Sequence, residues 1–391
     1  MRHGENRILT THTGSLPRPP ALQALFVKRH AGQAVDAAEL ARETNAAIAR
    51  IIAKQVEAGV DVANDGEQAR DGFFLHMKQR LTGLGGAWSR PPRADVERYP
   101  IYKKSREDYL LGKGVINARY SVPKAIGEIR HADPAAATRE SAGFRATLDA
   151  TKPPFAATFM TAPSPGIIAR AVRNEFYPSD DTYLAALGTA LRVEYEAIVA
   201  HGFELQIDAP DLGLERHITY ADQPLSNFLD FVERVIAATN DALVNVPRER
   251  VRLHVCWGNY EGPHDLDVPL RDILPILLKA KVGGLVLPFA NGRHAYEYRC
   301  LKDIPLASDQ IMVAGVIDPL TNIIEHPETV AERLEKIAQV VGDPRRVMAC
   351  TDCGFDTTAG AGRVTDDIVW AKLASMRDGA RLASERLFGK R

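Results

Sequence analysis

Short apolar or β-branched runs alternate along this chain with longer stretches of helical period, and that alternation limits the fold more than any other feature. The runs lie at residues 7–12 (RILTTH), 59–65 (GVDVAND), 155–160 (FAATFM), 204–208 (ELQID), 251–256 (VRLHVC), 283–289 (GGLVLPF), 311–317 (IMVAGVI) and 346–352 (RVMACTD). Helical patterns sit between most of them, among them AAELARETNAAIARIIAKQVEAG, TYLAALGTALRVEYEAIVAHG, SNFLDFVERVIAATNDAL and PETVAERLEKIAQVV. Strands joined by helices must run parallel, and eight such units in 391 residues predict a single α/β domain over 1–391, a (β/α)8 barrel. A doubly wound sheet is the competing fold. It is disfavoured because no glycine-rich dinucleotide fingerprint follows the first run.

Residues 80–150 interrupt the rhythm. This segment is rich in Pro, Arg and Tyr (SRPPRADVERYPIYKKSREDY) and then shows a hairpin-like GVINARYSVPKAIGEIRH, so it reads as an insertion after the second barrel strand. It is expected to cover the barrel mouth or to build a subunit contact, which makes a homo-oligomer one of the expectations. Its basic and aromatic residues are interleaved with Asp and Glu, the pattern of a solvated face rather than a nucleic-acid surface.

Chemistry-bearing residues gather where a barrel enzyme requires them, at the C-terminal ends of the strands. His12 and Ser15 follow the first run, Asp65 and Glu67 the second, Thr161 the third and Asp208 the fourth. His254 and Cys256 end the fifth, Asn291 and Arg293 follow the sixth, Asp318 the seventh, and Asp352 and Cys353 the eighth. Alternate residues of a strand point to one side, so His254 and Cys256 converge, and Cys353 would complete three protein ligands for a catalytic zinc with one position left for a thiol, water or substrate. The same His-x-Cys also fits an ordinary buried strand carrying a core histidine and a small apolar thiol. Cys350 and Cys353 form CxxC, which reads alternatively as half of a structural zinc site or a redox pair. Asn291 and His294 are candidates for a weak fourth ligand, Trp257 for packing on substrate or in the core, and Arg18 and Arg293 for holding an anionic substrate group. Asp65 and Glu67 read as an acid/base pair or, for Asp65, as a helix cap.

Composition removes other classes. A formal net charge of -1 gives no global case for nucleic acid or membrane as partner. No apolar run approaches a bilayer span, and the start MRHGENRILTTH lacks the apolar core of a signal peptide, so the expected compartment is the cytoplasm. Four cysteines in so long a chain do not make a disulfide framework, and reduced thiols suit a metal site.

Seven segments, in order along the chain, resemble the cobalamin-independent methionine synthase catalytic domain and its relatives, which include epoxyalkane:coenzyme M transferase. They are TTHTGSLPRP (10–19), DVANDGEQARDGFF (61–74), FELQIDAP (203–210), LHVCWGN (253–259), LVLPFANGR (285–293), VAGVIDP (313–319) and TDCGF (351–355). The resemblance implies zinc held by His254, Cys256 and Cys353, and a homocysteine-like thiol held by Ser15, Glu67 and Asp208. Asp208 and Glu67 are then the candidate catalytic carboxylates, with His12, Arg18 and Asn291 as further substrate contacts. Departures stand beside these matches. Ala290 occupies the position of a further zinc-ligating glutamate, Ala209 replaces the second acid of IDEP, Leu320 replaces a proton-delivering histidine, and SPGIIARAVRNEF replaces the Asn-Trp-Ser stretch of the folate site. The implied activity is alkyl or methyl transfer involving a zinc-bound small thiol and an alkyl donor, with methyl-folate in question as that donor. Methionine synthesis from methyl-folate is the first alternative. A metal-free decarboxylase of the uroporphyrinogen decarboxylase type and a zinc-storage protein are readings from other classes.

Overall fold

In the computed structural model, which describes residues 4–113 and 122–389, eleven strands are present: β1 (Leu9–Thr10), β2 (Val62–Ala63), β3 (Leu84–Trp88), β4 (Val122–Ala125), β5 (Ala157–Pro163), β6 (Arg173–Asn174), β7 (Glu204–Asp208), β8 (Val251–His254), β9 (Gly284–Pro288), β10 (Ile311–Ile317) and β11 (Val347–Thr351). Eight of them form one sheet in the order β1-β11-β10-β9-β8-β7-β5-β2, every pairing parallel. A parallel bridge between Thr11 and Val62 joins the two ends and closes the ring. The fold is a (β/α)8 barrel, and each of the eight runs read from the sequence contains or overlaps one barrel strand.

The helices are α1 (Pro20–His30), α2 (Ala37–Ala58), α3 (Ala94–Glu97), α4 (Pro100–Lys113), α5 (Pro134–Thr151), α6 (Pro165–Ala171), α7 (Asp180–Ala200), α8 (Asp211–Leu214), α9 (Leu225–Ala242), α10 (Leu270–Leu277), α11 (Pro327–Val341) and α12 (Asp366–Leu387). Around the barrel, α2, α5, α7, α9 and α10 pack in succession, and α11 and α12 complete the ring against α2. Their starts are built locally. Asp36 accepts from the Ala38 amide, and Ser179 and Thr182 cap each other reciprocally at α7, satisfying amides that a helix start leaves unpaired. Among the described residues no helix is long and apolar enough to cross a membrane.

Between β2 and β5 the chain leaves the barrel. Strand β3 pairs antiparallel with β4, and β4 parallel with β6, in a separate three-stranded sheet. The first part of the hairpin-like stretch, residues 114–121, lies outside the described residues. The remainder contributes β4, whose antiparallel partner is the distant β3. Side chains of this segment reach loops that follow β7 and β8: Arg90 pairs with Glu215 at 2.6 Å, Tyr99 donates to Asp265 at 2.9 Å, and the Arg93 guanidinium stacks on Tyr260.

The barrel interior is layered, and the layering positions the site. One layer is apolar, formed by Leu9, Val62, Phe159, Val286, Ile311, Val313, Met348 and Cys350. A polar layer centres on Arg252, which is fully buried and stacks on Phe159 at 3.7 Å from the ring centroid. Its guanidinium donates to Gln206 Oε1 at 2.8 Å, the His12 carbonyl at 3.2 Å and Thr11 Oγ1 at 3.3 Å. Because β7 and β8 pair Gln206 with Arg252 and Asp208 with His254, the next residues on the same inward face meet two positions further up. Arg252→Ala would leave a cavity and strip three buried acceptors of their donor. We expect a loss of about 3 kcal/mol or more, read from the denaturant midpoint; an unchanged midpoint would show that this layer does not support the barrel.

Candidate metal centre

His254 is the last residue of β8, and the ladder continues by one bond, from the Val255 amide to the Val286 carbonyl. Cys256 therefore leaves the sheet on the same side as His254. Cys353 follows β11, on a turn knitted to β1 by Thr13: its amide donates to Thr351 Oγ1 and its hydroxyl to the Thr351 carbonyl at 2.7 Å. Thr351 Oγ1 donates in turn to the Cys353 carbonyl at 2.9 Å. Gly354 is required here, since a Cβ would stand 2.1 Å from Ser15 Oγ.

One ligand atom from each of His254, Cys256 and Cys353 lies within 4.8 Å of the other two, and all three residues are buried. The two sulfurs are 3.9 Å apart. Two thiolates bound at about 2.3 Å to a tetrahedral metal stand about 3.8 Å apart, whereas a disulfide holds its sulfurs at about 2.0 Å. The spacing fits a shared metal and not a disulfide. His254 Nδ1 is 2.9 Å from Asp208 Oδ1, and a carboxylate only accepts, so Nδ1 carries the proton. In the neutral ring that leaves Nε2 bare, and it is buried with no partner in hydrogen-bond geometry. A carboxylate behind a histidine whose other nitrogen is unpaired is the arrangement that orients a metal ligand.

The electrostatics agree. The Cys353 thiol donating to its sulfur, together with His254 and the Gly258 amide, holds Cys256 well below the ordinary thiol range. Cys353, facing that sulfur, is pushed well above it. Burial opposes a charge on His254, but the Cys256 sulfur and Asp208 outweigh it and raise the imidazole to about 10. The proton on Nε2 and a thiophilic divalent ion are alternative partners for the Cys256 thiolate, so binding the ion would release that proton. Cys350 takes no part: it faces the apolar layer, near Thr13 Oγ1 at 3.5 Å, and burial raises its thiol to about 11. The CxxC is thus split between barrel interior and site.

The other expected residues divide into those that face the site and those committed elsewhere. Glu67 sits in a left-handed conformation (φ 56), held by Asp65 Oδ1 accepting from its amide at 3.0 Å, an Asx turn and not a helix cap. Its Oε1 accepts from Thr161 at 3.0 Å, while Oε2 is buried without a partner. Burial and the Asp208 charge raise its carboxyl to about 7. Gly14 makes room for it, since a Cβ there would meet Glu67 Oε1 at 2.6 Å. Ser15 backs onto Gly354, next to Cys353.

Three of the residues expected at the substrate have side-chain groups engaged within the protein. His12 has both ring nitrogens occupied, by Gln55 Oε1 at 2.8 Å and the Gly14 amide at 3.2 Å, and burial lowers it to about 4, so it is a neutral loop anchor. Arg18 is fully buried in an ion pair with Asp356 at 3.0 Å and donates to the Glu67 carbonyl at 2.8 Å. It positions the Glu67 turn through both terminal nitrogens. Asn291 Oδ1 caps its own turn, accepting from the amides of Arg293 and His294, and Arg293 is exposed. Asp352, which the sequence placed at the mouth without a role, accepts from the amides of Phe289, Ala290 and Asn291 and so fixes the loop after β9.

Residues 8–91 match the family model described as cobalamin-independent synthase, catalytic domain. The methionine synthase of Sulfolobus acidocaldarius is 27% identical over 379 residues, covering 97% of this chain and 93% of its own length. That of Saccharolobus islandicus is 27% identical over 389 residues, covering 97% and 95%. The chain resembles the cobalamin-independent methionine synthase catalytic domain. A B12-independent methionine synthase from a Shewanella species, solved with selenomethionine, superposes with a TM-score of 0.73 at 21% identity, over 97% of this chain and 99% of that one. A Listeria monocytogenes structure described as a putative B12-independent methionine synthase gives 0.63 at 20% identity, over 96% and 98%. At these identities the superpositions speak for the barrel fold alone.

The role of Asp208 can be measured directly. Removing the carboxylate that orients His254 should weaken zinc binding by about 10–100-fold in Asp208→Ala, read by competition with a chromophoric chelator. Unaltered zinc affinity in a folded variant would show that Asp208 does not serve the metal.

Proposed function

We propose that this chain is a zinc-dependent methyltransferase acting on a small amino-acid thiol of the homocysteine class. The observation that carries the reading is the convergence of bare His254 Nε2 with the Cys256 and Cys353 sulfurs. Full-length similarity to proteins named methionine synthase supports the acceptor and the methyl group. When bound there, zinc keeps a substrate thiol deprotonated and nucleophilic at neutral pH, where a free thiol with a pKa of about 8.5 is mostly protonated. Two cysteine thiolates and a neutral imidazole leave a site of near-zero charge with a dication, which admits an incoming thiolate.

The chain's own residues do the rest. Asp208 holds His254 in one tautomer. Glu67 presents a buried, unpartnered Oε2 beside Asp208, and an unpaired buried carboxylate oxygen is stabilised by a cation. The α-ammonium of an amino-acid thiol is such a cation, and Ser15, which lies against Gly354, is assigned to its carboxylate end. The 80–150 insertion is assigned as a cover, its Arg90, Arg93 and Tyr99 tying it to the loops after β7 and β8.

For the donor, two features favour a methyl group on a good leaving atom over methyl-folate. Displacement from folate needs a protonated leaving nitrogen, and Leu320 stands where the family's proton-delivering histidine would be. The segment replacing the folate-associated Asn-Trp-Ser stretch is the buried helix α6, capped by Ser164, whose hydroxyl donates to Asp211 at 2.6 Å.

The decisive assay supplies zinc-loaded enzyme and homocysteine with methyl-folate, with methylated sulfonium and ammonium compounds, and with epoxides, and also tests glutathione and coenzyme M as acceptors. Methionine should form with a donor other than methyl-folate. Turnover with methyl-folate at about 1 per second or faster would overturn the donor assignment, and alkylation of another thiol but not homocysteine would overturn the acceptor.

A pH profile tests Glu67. Its carboxyl is raised to about 7, so it is protonated below that pH and ionised above it, and only the ionised form binds an ammonium as an ion pair. The KM for the amino-acid thiol should fall as pH rises through about 7 and then level. Glu67→Gln should abolish this step and raise KM about 10–100-fold, the value of a charged hydrogen bond. An identical profile in wild type and variant would remove Glu67 from the substrate.

A further inference from the structure

A second cluster of ligating side chains lies on the same end of the barrel, built from loops that follow three consecutive strands: His217 after β7, His264 and Asp267 after β8, and His294 after β9. One ligand atom from each of His264, Asp267 and His294 lies within 4.8 Å of the other two, and all three residues are buried. His264 Nδ1 is 2.9 Å and His294 Nε2 2.8 Å from the same oxygen, Asp267 Oδ2. His217 Nδ1 is 3.0 Å from the other oxygen, Oδ1.

The outer nitrogens of these rings are already committed. His264 Nε2 lies 2.9 Å from the Tyr260 carbonyl, and His294 Nδ1 lies 3.0 Å from Glu297 Oε2. A carbonyl and a carboxylate only accept, so each outer nitrogen carries the proton. His217 Nε2 faces the Tyr260 hydroxyl at 3.3 Å, and that hydroxyl spends its own proton on Asp95. Each imidazole is therefore fixed from outside with its inner nitrogen aimed at one buried carboxylate, the way outer carboxylates and carbonyls orient histidines on a metal.

A purely hydrogen-bonded cluster would have to protonate the inner nitrogens as well, and it leaves one feature unexplained. His217 Nδ1 and Asp267 Oδ1 are fully buried and 3.0 Å apart, yet neither makes a hydrogen bond. The misalignment leaves Asp267 Oδ1 a buried acceptor without a partner, which a cation held by the cluster would satisfy. His264 also adopts a left-handed conformation (φ 53), a strain that a non-glycine residue sustains where the surroundings dictate its direction.

We propose that His264, Asp267 and His294 form a second site for a divalent first-row transition metal, distinct from the His254/Cys256/Cys353 centre, with His217 behind the second oxygen of Asp267. Its donors are imidazole and carboxylate without thiolate, which suits zinc, iron(II), manganese or cobalt. With three protein ligands, all buried, it is read as a structural site. It fastens the loops after β7, β8 and β9 to one another, and through Tyr260 and Asp95 to the insertion. Trp257, next to Cys256 and stacked on His294 at 4.1 Å, links it to the first centre.

The test is the metal content of the purified full chain, after dialysis against zinc, manganese or anaerobic iron(II), together with anomalous scattering from its crystals. Two ions per chain are expected, one peak between the cysteine sulfurs and one between His264 and His294. Metal content should fall from two to one in His294→Ala, with the cysteine-bound peak kept, and from two to one in Cys353→Ala, with the histidine-bound peak kept. A single peak at the cysteines in wild type, with all three metals, would overturn the proposal and leave a proton-linked cluster. A single peak at the histidines would instead overturn the first centre, and that map of the wild-type protein decides the matter even if a variant fails to fold.

Discussion

The parallel register of β7 and β8 is the constraint on which the site depends. Pairing Asp208 with His254 also pairs Gln206 with Arg252, because inward-facing residues recur every second position. The lower pair holds Arg252 in the barrel interior; the upper pair holds His254 in the tautomer that leaves Nε2 bare. A shift by one residue would turn both pairs outward and remove the imidazole from Cys256 and Cys353.

Three buried acids around the mouth show how environment assigns different work to the same chemical group. Asp208 accepts from both Gln206 and His254 on the one oxygen Oδ1, so that oxygen positions the imidazole. Asp352 is saturated by amides of the loop after β9, so it shapes the wall. Glu67 keeps one oxygen unpartnered in a strained turn that Arg18, Asp65 and Thr161 hold in place. A strained residue with an unsatisfied buried oxygen is where a protein stores free energy that a ligand recovers.

How far the sequence disclosed this follows from how local each signal is. The barrel strands were legible because each is a short apolar run between helical stretches, and His254 and Cys256 because strand alternation brings residues two apart together. Cys353 was legible through the CTDC turn, while its neighbour Cys350 was misleading, since strand geometry sends the two thiols to different layers. The fates of His12 and Arg18 were not legible. Their partners, Gln55 and Asp356, lie 43 and 338 residues away, and nothing in a linear pattern shows that a polar group is already satisfied. The histidine cluster left only the i,i+3 spacings His264-Asp267 and His294-Glu297 as a trace. It is assembled from three loops, and its fourth member, His217, comes from a 3-10 turn (Glu215–His217) with no distinguishing motif.

The central claim is that His254, Cys256 and Cys353 hold zinc with one position open to a substrate thiol. Zinc-edge X-ray absorption on the His294→Ala protein, in which the histidine cluster is removed so that one zinc is observed, examines it most directly, alone and with homocysteine. The resting spectrum should fit two sulfur and two nitrogen or oxygen neighbours, and homocysteine should bring a third sulfur in at about 2.3 Å. A sulfur count that stays at two with saturating homocysteine, or a resting shell without two sulfurs, would contradict the account.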